Sequence, residues 1–498
     1  MCGIIGGVST LVVGSVLVVA SSVISFVFVP NIIRNIIAGE VTLLDDTIQM
    51  ERFKEVPFPM NFTVRVFNMT NPAQVLTGGV PVMQEIGPYV YRLYQTREIL
   101  EKDGDVIVYK MHEHFEFDAD LSYPNQEDDL VTIINVPFHA VIQVAESLFP
   151  YLMSLLQMAM DEVFKEFNTP ITTIRVRDLL FDGITMCKHP TGLGIIACSI
   201  IRDIADNAQN IEEKPDGSLV FSILNYKQQL PSQEYRVQRG LNDPADLGRI
   251  LSYAGSPFFP QWLNLTTREP NVCMEVNGTD AGIFAPFVET ERSIYAINTD
   301  ICRSVELRYE RDSEYEGIPT VRFAANEWLL DNDDGCFCLN VTRGINRDDG
   351  CLLRGAMELY TCVGAFLIMS YPHFLFADVR YRDSVLGMHP NEENHKIFIE
   401  LEPNTGTPIR GAKRAQFNIF SRPVRNIPVT QNLRTAIVPI LWIEEAIDLP
   451  HEFVDELTER LLSSLQLVDI FIPVLIAACV MVLVVGVALT ARARVYRK

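Results

Sequence analysis

One apolar segment near the C-terminal end constrains the fold of this chain more than any other. Residues 470–491 read IFIPVLIAACVMVLVVGVALTA and contain no charged side chain. A helix rises about 1.5 Å per residue, so this segment just crosses the roughly 30 Å apolar core of a bilayer. The basic tail 492–498 follows at once, and an excess of Lys and Arg beside a span marks the cytoplasmic side. We therefore expect the tail in the cytosol and the preceding residues outside the cell or in a lumen.

The N-terminal end is apolar as well, and no charged residue precedes Arg34. A cleaved signal peptide normally has a basic n-region and a short apolar core, and this segment has neither. Although residues 20–22 would serve as a cleavage site, the sequence favours an uncleaved transmembrane helix over residues 4–30.

Two spans predict a hairpin topology. Residues 1–3 and 492–498 then lie in the cytosol, and residues 31–469 form one ectodomain on the other side. Cys2 would lie at the cytosolic face, where palmitoylation and an unmodified thiol are equally compatible with the sequence. We expect the second span, residues 470–491, to need only length and apolar character.

The composition of the ectodomain is typical of an oxidising, non-cytosolic compartment. The net charge of −22 argues against nucleic acid or an anionic lipid surface as the main partner. Eight of the ten cysteines lie between residues 187 and 362, which predicts a disulfide framework. N-x-S/T sequons predict N-glycosylation of the same region, with only some of them used. The sequons begin at Asn61, Asn68, Asn264, Asn277 and Asn340.

No pattern in the sequence builds an enzyme site. The motifs H-E-x-x-H, G-x-S-x-G and the Walker sequence do not occur. His112 and His114 would share one face of a strand, but two ligands are too few for a metal. The acidic runs at 127–129, 331–334 and 348–349 are typical of solvated turns. We therefore expect neither enzymatic activity nor a metal or other cofactor.

Hydrophobic periodicity divides the ectodomain into strands and helices. Alternation predicts antiparallel strands over 61–118 and short strands over 217–330. Residues 138–167 are apolar at helical spacing on nearly all sides, with Pro150 breaking or restarting the helix. Such a helix is either buried or presents its surface to a partner, and burial is the favoured interpretation. A helical pattern over 31–53 predicts a helix that connects the first membrane span to the folded ectodomain.

The spacing of the cysteines in the second half of the chain excludes one disulfide pairing. Cys336 and Cys338 flank one residue, so in an extended segment they point to opposite faces and need different partners. Spacing alone leaves the connectivity open. The cysteines concerned are Cys273, Cys302, Cys336, Cys338, Cys351 and Cys362.

Several longer segments carry a family pattern in their order and spacing. They are VFNMTNPAQVLTGG with EIGPYVYR (66–92), VRDLLFDG (176–183), VNGTDAGIF (276–284), DICRSVEL (300–307), CFC (336–338), MSYPHFLFAD (369–378), GMHPNEENHKIFIELEPNTG (387–406), AKRAQFNIF (412–420) and VPILWIEE (438–445). With its two-span layout, the chain resembles the class B scavenger receptor family. This family includes the fatty-acid translocase, the high-density-lipoprotein receptor, a lysosomal integral membrane protein and insect sensory-neuron membrane proteins.

The resemblance implies an α+β fold. Two transmembrane helices flank one ectodomain, which has an antiparallel β-barrel-like core, short helices and a helical apex. The implied disulfides join Cys273 with Cys336, Cys302 with Cys362, and Cys338 with Cys351. Cys187 and Cys198 lie outside this set, and whether they form a fourth disulfide is left open.

The resemblance places ligand binding at the apex, residues 138–168. The candidate ligand-binding residues there are Phe149, Leu152, Leu156, Phe164 and Lys165. Lys165 lies near a basic patch that similar proteins use for anionic ligands. In this chain acidic residues surround it, which weakens that preference.

The function that the resemblance implies is reception and transfer of lipid. Lipids, lipoprotein particles or lipid-bearing proteins would bind at the apex, and apolar lipid such as fatty acids or sterol esters would pass through an internal tunnel to the bilayer. One alternative is a docking or sorting receptor for a protein partner. Another is a two-span ion-channel subunit, although residues 470–491 contain no ionisable group to mark a pore. The tail lacks an acidic dileucine signal, which favours the plasma membrane over endosomes or lysosomes. Homo-oligomerisation is left open.

Overall fold

Long apolar helices stand at both ends of the chain. The computed structural model describes residues 2–205, 208–263, 272–331, 336–364 and 366–495. In this part of the chain, two helices are long and apolar enough to cross a membrane, Ile5–Val41 and His451–Val495. Both are longer than the predicted spans because each continues without a break into the ectodomain.

The α-helices outside the two apolar segments are short. The α-helices are α1 (Cys2–Val23), α2 (Val29–Val41), α3 (Ile48–Lys54), α4 (Pro72–Val75), α5 (Ala119–Ser122), α6 (Val136–Leu148), α7 (Met153–Phe164), α8 (Leu193–Ala205), α9 (Asn225–Gln229), α10 (Tyr360–Val363), α11 (Val379–Arg382), α12 (Glu392–His395), α13 (His451–Leu457) and α14 (Ser463–Val495). A π-helical turn, Ile24–Phe28, joins α1 to α2, and another, Thr458–Leu462, joins α13 to α14.

The predicted helix over 31–53 is divided in two. Helix α2 ends at Val41, and α3 begins at Ile48. Thr47 caps α3, because its Oγ1 accepts a hydrogen bond from the Met50 N–H at 3.2 Å. A side-chain oxygen at this position satisfies a free N–H of the first turn, which favours a new helix start over continuation of α2.

The two membrane helices pack closely through glycine. A Cβ added to Gly14 of α1 would lie 2.6 Å from the Leu483 Cα, and one added to Gly486 of α14 would lie 2.5 Å from the Leu11 nitrogen. Small residues allow such backbone approach between helices in a membrane. The expectation that the second span needs only length and apolar character is therefore incomplete, because Gly486 also sets the helix contact.

Antiparallel strands form the body of the ectodomain. The strands are β1 (Met60–Met69), β2 (Met83–Asp103), β3 (Val106–Phe117), β4 (Leu130–Ile134), β5 (Ile171–Arg175), β6 (Ile184–Met186), β7 (Ile211–Glu213), β8 (Leu219–Phe221), β9 (Tyr235–Gln238), β10 (Ile250–Tyr253), β11 (Ile294–Asn298), β12 (Arg303–Tyr315), β13 (Ile318–Ala325), β14 (Ala356–Glu358), β15 (Ile368–Ser370), β16 (Ile397–Leu401), β17 (Pro408–Ser421) and β18 (Ala436–Asp448). The alternation predicted over 61–118 is confirmed by β1, β2 and β3.

One large sheet closes on itself as a barrel. Its strand order is β10-β9-β3-β2-β1-β18-β17-β16-β13-β12-β11. The two ends are joined by the segment Gly278–Thr279. The Gly278 carbonyl accepts from the Ile250 N–H of β10 at 2.8 Å, and the Thr279 N–H donates to Tyr295 of β11 at 3.1 Å. Gly278 has a φ of +96°, and a Cβ there would lie 2.0 Å from the Tyr295 carbonyl oxygen, so this closure requires glycine.

A sharp bend between α6 and α7 builds the apex. Helix α6 ends at Leu148, and the helical segment Pro150–Phe167 leaves it at an angle of 119°. Pro150 starts this second segment, which confirms the predicted break. Asn135 caps α6, with its Oδ1 accepting from the Phe138 N–H at 3.3 Å.

Four disulfides are present among the described residues. Three join the pairs that the family resemblance implies: Cys273 with Cys336, Cys302 with Cys362, and Cys338 with Cys351. The fourth joins Cys187, which directly follows β6, to Cys198 in the middle of α8. Cys336 and Cys338 therefore pair with different partners, as their opposite directions in an extended segment require.

Candidate functional site

A cavity of about 510 Å³ lies where the membrane helices enter the ectodomain. Ile37 and Val41 of α2 form one wall, and Phe453 and Leu457 of α13 form another. Because α2 and α13 continue directly into the apolar helices, this cavity lies at the membrane end of the barrel. We call it the basal cavity. Its size is within the range of ordinary ligand sites, about 300–1,000 Å³.

A buried ion pair forms part of the basal cavity's wall. The Arg97 guanidinium donates to the Asp280 carboxylate at 2.7 Å and to the Phe53 carbonyl at 2.8 Å. The Tyr109 hydroxyl donates to the same carboxylate at 2.7 Å. Burial alone would raise the pKa of Asp280, but Arg97 and these hydrogen bonds hold it below its ordinary value. The carboxylate is therefore charged and fully partnered.

A second, smaller pocket lies at the apex between α6, α7 and α8. It encloses about 70 Å³, and only apolar residues line it. Val141 and Val144 contribute from α6, Leu155 from α7, and Ile201 from α8. We call it the apical pocket. Its lining has no hydrogen-bonding side chain, so it suits hydrocarbon and cannot orient a polar ligand.

The structure places only some of the predicted apical residues in this pocket. Phe149, Leu152 and Leu156 line it. Phe164 does not, because it is fully buried against Phe138 of α6, with the ring centroids 5.3 Å apart. Its role is to hold α7 on α6.

Lys165 is also separate from the apical pocket. It follows the last residue of α7 with a φ of +49°, and its ammonium group pairs with Glu162 at 2.8 Å. The Glu162 carboxylate also accepts from the Thr191 N–H at 2.7 Å. Lys165 is thus part of a surface ion pair outside the apical pocket, and its role in ligand binding at the apex stays a prediction.

A chain of ion pairs crosses the interior of the barrel. Lys413 of β17 contacts Asp300 at 3.1 Å and Glu445 of β18 at 3.4 Å. Lys227 of α9 contacts Asp300 at 2.9 Å and Glu113 of β3 at 3.3 Å. Since β18, β1 and β2 lie between β17 and β3 in the sheet, this chain runs across the lumen. We call these five residues the lumen cluster.

The groups at the centre of the lumen cluster stabilise one another's charges. Burial alone would raise the pKa of Asp300, but Lys227 and Lys413 hold it well below its ordinary value. Burial would lower the pKa of each lysine, yet the carboxylates beside them raise both pKa values. With two ammonium groups and three carboxylates, the cluster carries a formal charge of −1.

The match to known proteins covers nearly the whole chain. The sequence profile described as the CD36 family matches residues 12–490. The chain belongs to the CD36 family. Sensory neuron membrane protein 2 of Drosophila melanogaster is 32% identical, with 89% of this chain and 90% of that protein aligned. The protein of the same name from Heliothis virescens is also 32% identical, over 92% of this chain and 89% of the relative.

A sensory neuron membrane protein of another type is also similar to this chain. Sensory neuron membrane protein 1 of Apis mellifera is 31% identical, with 91% of this chain and 84% of that protein aligned. Family membership and the two apolar helices together make this chain a membrane-integral receptor of the class B scavenger type.

Four of the five predicted sequons of this CD36-family chain lie on the barrel surface and its loops. Asn61, Asn277 and Asn340 are exposed. Asn68 is half-buried, and its Oδ1 accepts from the Thr132 N–H at 2.8 Å. Asn264 lies outside the described residues, as does the side chain of Cys2. Glycosylation at these sites stays a prediction.

The histidines and acidic runs have ordinary structural partners. His112 pairs with Glu98 at 3.0 Å, and the described residues contain no group of three metal-ligating side chains. The acidic run 127–129 is not simply solvated, because Glu127 accepts from the Tyr91 hydroxyl at 3.2 Å and Asp129 accepts from Tyr89 at 3.2 Å. The run at 348–349 is exposed, as expected, and most of the run at 331–334 lies outside the described residues.

Sequence reasoning missed the lumen cluster. Asp300 and Lys413 lie within segments that carry the family pattern, 300–307 and 412–420, but neither was assigned a role. Asp300 lies in the turn between β11 and β12, and the signal that would have found Lys413 is a charged residue at an inward position of a strand. That position is visible only once the register of the barrel is known.

Proposed function

We propose that this chain binds lipids, lipoproteins or lipid-bearing proteins at its apex and passes apolar lipid through the ectodomain to the membrane. The observation that carries the proposal is the basal cavity, because residues on both membrane helices wall it. Ile36 and Ile37 belong to the first apolar helix, and Leu457 and Leu461 to the second. Cargo in this cavity is already next to the bilayer.

The physical reason for such a site is the low solubility of lipid. Each methylene group exposed to water costs about 0.8 kcal/mol, so a long chain leaves a carrier slowly unless it passes directly into another apolar environment. At the two ends of the ectodomain, the apical pocket is lined by apolar residues, and the basal cavity combines apolar residues with charged ones such as Arg97 and Glu456. No covalent chemistry is needed for this transfer.

Transfer between the two cavities requires side chains to move. Buried aromatic residues of the barrel, Phe62, Tyr91 and Phe115, pack in contact with one another or with Phe181. They lie farther from the basal cavity than Arg97 does, because Tyr91 precedes Arg97 on β2, and Phe62 and Phe115 lie beside Tyr91 and Leu93 on the neighbouring strands. The tunnel that we propose is therefore one that opens when cargo passes.

The proposed topology follows from the charges beside the second span. Both termini lie in the cytosol, and the ectodomain lies outside the cell at the plasma membrane. The endosomal or lysosomal membrane is the alternative location, with the ectodomain in the lumen. Antibody labelling of intact cells against an N-terminal tag, a C-terminal tag and the ectodomain tests this arrangement.

Uptake of a fluorescent cholesteryl ester or fatty acid by cells expressing the full chain tests transfer. Ile447→Trp and Leu457→Trp add bulk to the basal cavity, and we expect uptake to fall to the level of untransfected cells. Leu130→Trp is the matched control, since Leu130 is 68% exposed on β4 and away from the cavity. Surface expression is measured in parallel. Normal uptake by correctly folded cavity variants would defeat the transfer proposal.

A docking or sorting receptor is the second candidate function. The apex carries exposed apolar side chains, with Tyr151 78% exposed, Met158 65% exposed and Ile195 58% exposed. Surfaces of this kind mark sites of protein or membrane contact. In a pure docking receptor, Ile195→Ser would weaken binding of lipid-bearing particles to cells, and Ile447→Trp would change neither binding nor any later step.

A further inference from the structure

Helix α13 forms one wall of the basal cavity, yet it packs on an apolar cluster that is separate from the main core of the ectodomain. Phe453 and Leu457 line the cavity and pack against this cluster. Its buried members are Ile318, Ile409, Leu449 and Val454. A small cluster loses little apolar contact when it opens, and regions with few such contacts are the ones that open locally. The helix can therefore move while the barrel stays folded.

The π-helical turn after α13 is the place where this wall can bend. The turn, Thr458–Leu462, follows α13 directly and leads into the membrane helix α14. A π-helical turn interrupts the regular hydrogen bonds of a helix, and such turns cause bends and recur at functional sites. Leu461 of the turn lines the basal cavity together with Leu457 just before it. Bending at the turn therefore changes the cavity on its membrane side.

An ion bridge connects this wall to the barrel. Arg52 of α3 donates to the Glu456 carboxylate of α13 at 2.6 Å. Arg460 of the π-helical turn contacts the same carboxylate at 3.3 Å. The Arg52 guanidinium also lies over the Phe453 ring, 5.2 Å from its centroid. Arg52, Glu456 and Arg460 all line the basal cavity, and we call them the basal ion bridge.

The α3 end of the basal ion bridge is fixed to the barrel. Met50 and Phe53 of α3 are buried in the main core. The Phe53 carbonyl also accepts from the Arg97 guanidinium of β2 at 2.8 Å. Helix α3 is therefore held by the barrel, whereas α13 continues through the π-helical turn into α14. The bridge thus joins a fixed wall of the cavity to a wall that can move with the membrane helix.

We propose that the basal ion bridge is a latch that holds α13 against the barrel and limits the rate at which lipid leaves the basal cavity for the bilayer. The latch rests on the proposed lipid transfer, although the bridge between α3 and α13 is present without cargo. Arg52 is 31% exposed and Glu456 is 25% exposed. A pair that water reaches this far shifts an opening equilibrium by only about two- to fivefold. The bridge is therefore weak enough to break each time the cavity opens.

Hydrogen exchange of the full chain in lipid nanodiscs tests the latch. Glu456→Gln removes the shared carboxylate, and Arg52→Met removes its partner on α3 while keeping an unbranched side chain. We expect the amides of residues 451–462 to exchange about two- to fivefold faster in each variant. The double variant should exchange no faster than the faster single variant, because both changes break the same bridge.

Two control variants separate the bridge from a general loss of charge. Glu459→Gln makes the same change three residues later, where the side chain is exposed and is not among the cavity-lining residues. Lys54→Met removes a cation from α3 that pairs with Glu51 of the same helix at 2.7 Å. Both should exchange as the wild type does. Added salt screens partly exposed charges, so it should speed exchange of residues 451–462 in the wild type and not in Glu456→Gln.

Uptake of a fluorescent cholesteryl ester relates the latch to transfer. At equal surface expression, we expect the initial rate to rise about two- to fivefold in Glu456→Gln and Arg52→Met and to stay unchanged in the controls. Wild-type exchange in both bridge variants would overturn the latch. Faster exchange with unchanged or slower uptake would also overturn it, because the bridge would then only support the wall. Background uptake by the wild type would mean that the proposed transfer itself fails. The salt response of the wild type tests the bridge even if a variant does not fold.

Discussion

At the scale of single residues, the ectodomain buries histidines in their uncharged form. His139 of α6 is 3% exposed, and its Nε2 lies 3.1 Å from the Pro170 carbonyl. Burial, assisted by the nearby Arg422, lowers its pKa from 6.5 to about 4. His395 of α12 is 6% exposed and stacks on His373, and burial followed by the influence of His373 lowers its pKa to about 4 as well.

These histidines predict that the ectodomain loses stability in acid. The unfolded chain takes up their protons as the pH falls below 6.5, whereas the folded chain does so only near pH 4. Their contribution is therefore complete above pH 6.5 and is lost as the pH falls toward 4, by roughly 2 kcal/mol per histidine at pH 5. Thermal unfolding of the purified protein at pH 7.5 and pH 5 measures this loss.

Substitution identifies the groups responsible. His139→Asn costs stability at every pH but should flatten the acid dependence. His112→Asn should not alter it, because His112 is 46% exposed on the surface of β3. Equal acid dependence in all three proteins would exclude His139 as a source.

At the scale of secondary structure elements, the contact between α1 and α14 predicts a position-specific effect within one helix. Gly14→Leu inserts a side chain where a Cβ alone would lie 2.6 Å from Leu483, so the helices must separate. Overpacking of this kind costs about 1–3 kcal/mol. The melting temperature of detergent-solubilised protein should fall, together with uptake if helix pairing shapes the basal cavity.

The same helix offers a matched control. Gly6→Leu makes the same chemical change, but nothing lies within 4 Å of a Cβ at Gly6. We expect its melting temperature to equal that of the wild type. A similar loss in both variants would mean that glycine in α1 matters for insertion and not for contact with α14.

The elements differ in how much of them the sequence predicts. The strands β1 to β3 follow from alternation, and the break between α6 and α7 follows from Pro150. It is harder to predict which side of the barrel wall a side chain faces. On β3, Glu113 faces the lumen while His112 and His114 face outward, and all three are polar. Since inward and outward positions both carry polar groups, periodicity cannot identify the lumen cluster.

At the scale of the whole molecule, the two apolar helices are the feature that the sequence predicts best, because a long uncharged segment is recognised from the local sequence alone. Closure of the barrel could not be predicted in the same way. It depends on Gly278–Thr279, a segment of the connection between β10 and β11 that bridges these two strands without forming a strand of its own. The basal cavity could not be predicted either, since residues from both ends of the chain meet there.

That meeting of the two ends yields the last prediction. Residues 31–469 contain every wall of the basal cavity, from Ile36 and Ile37 to Leu461, but lack most of both spans. Secreted alone, this ectodomain should bind lipid-bearing particles as the full chain does, yet deliver no lipid to cells, because the cavity no longer stands against the bilayer. Fusing it to an unrelated apolar membrane helix should restore part of the uptake of a fluorescent cholesteryl ester. Delivery by the free ectodomain at the rate of the full chain would show that the membrane helices do no more than retain the protein.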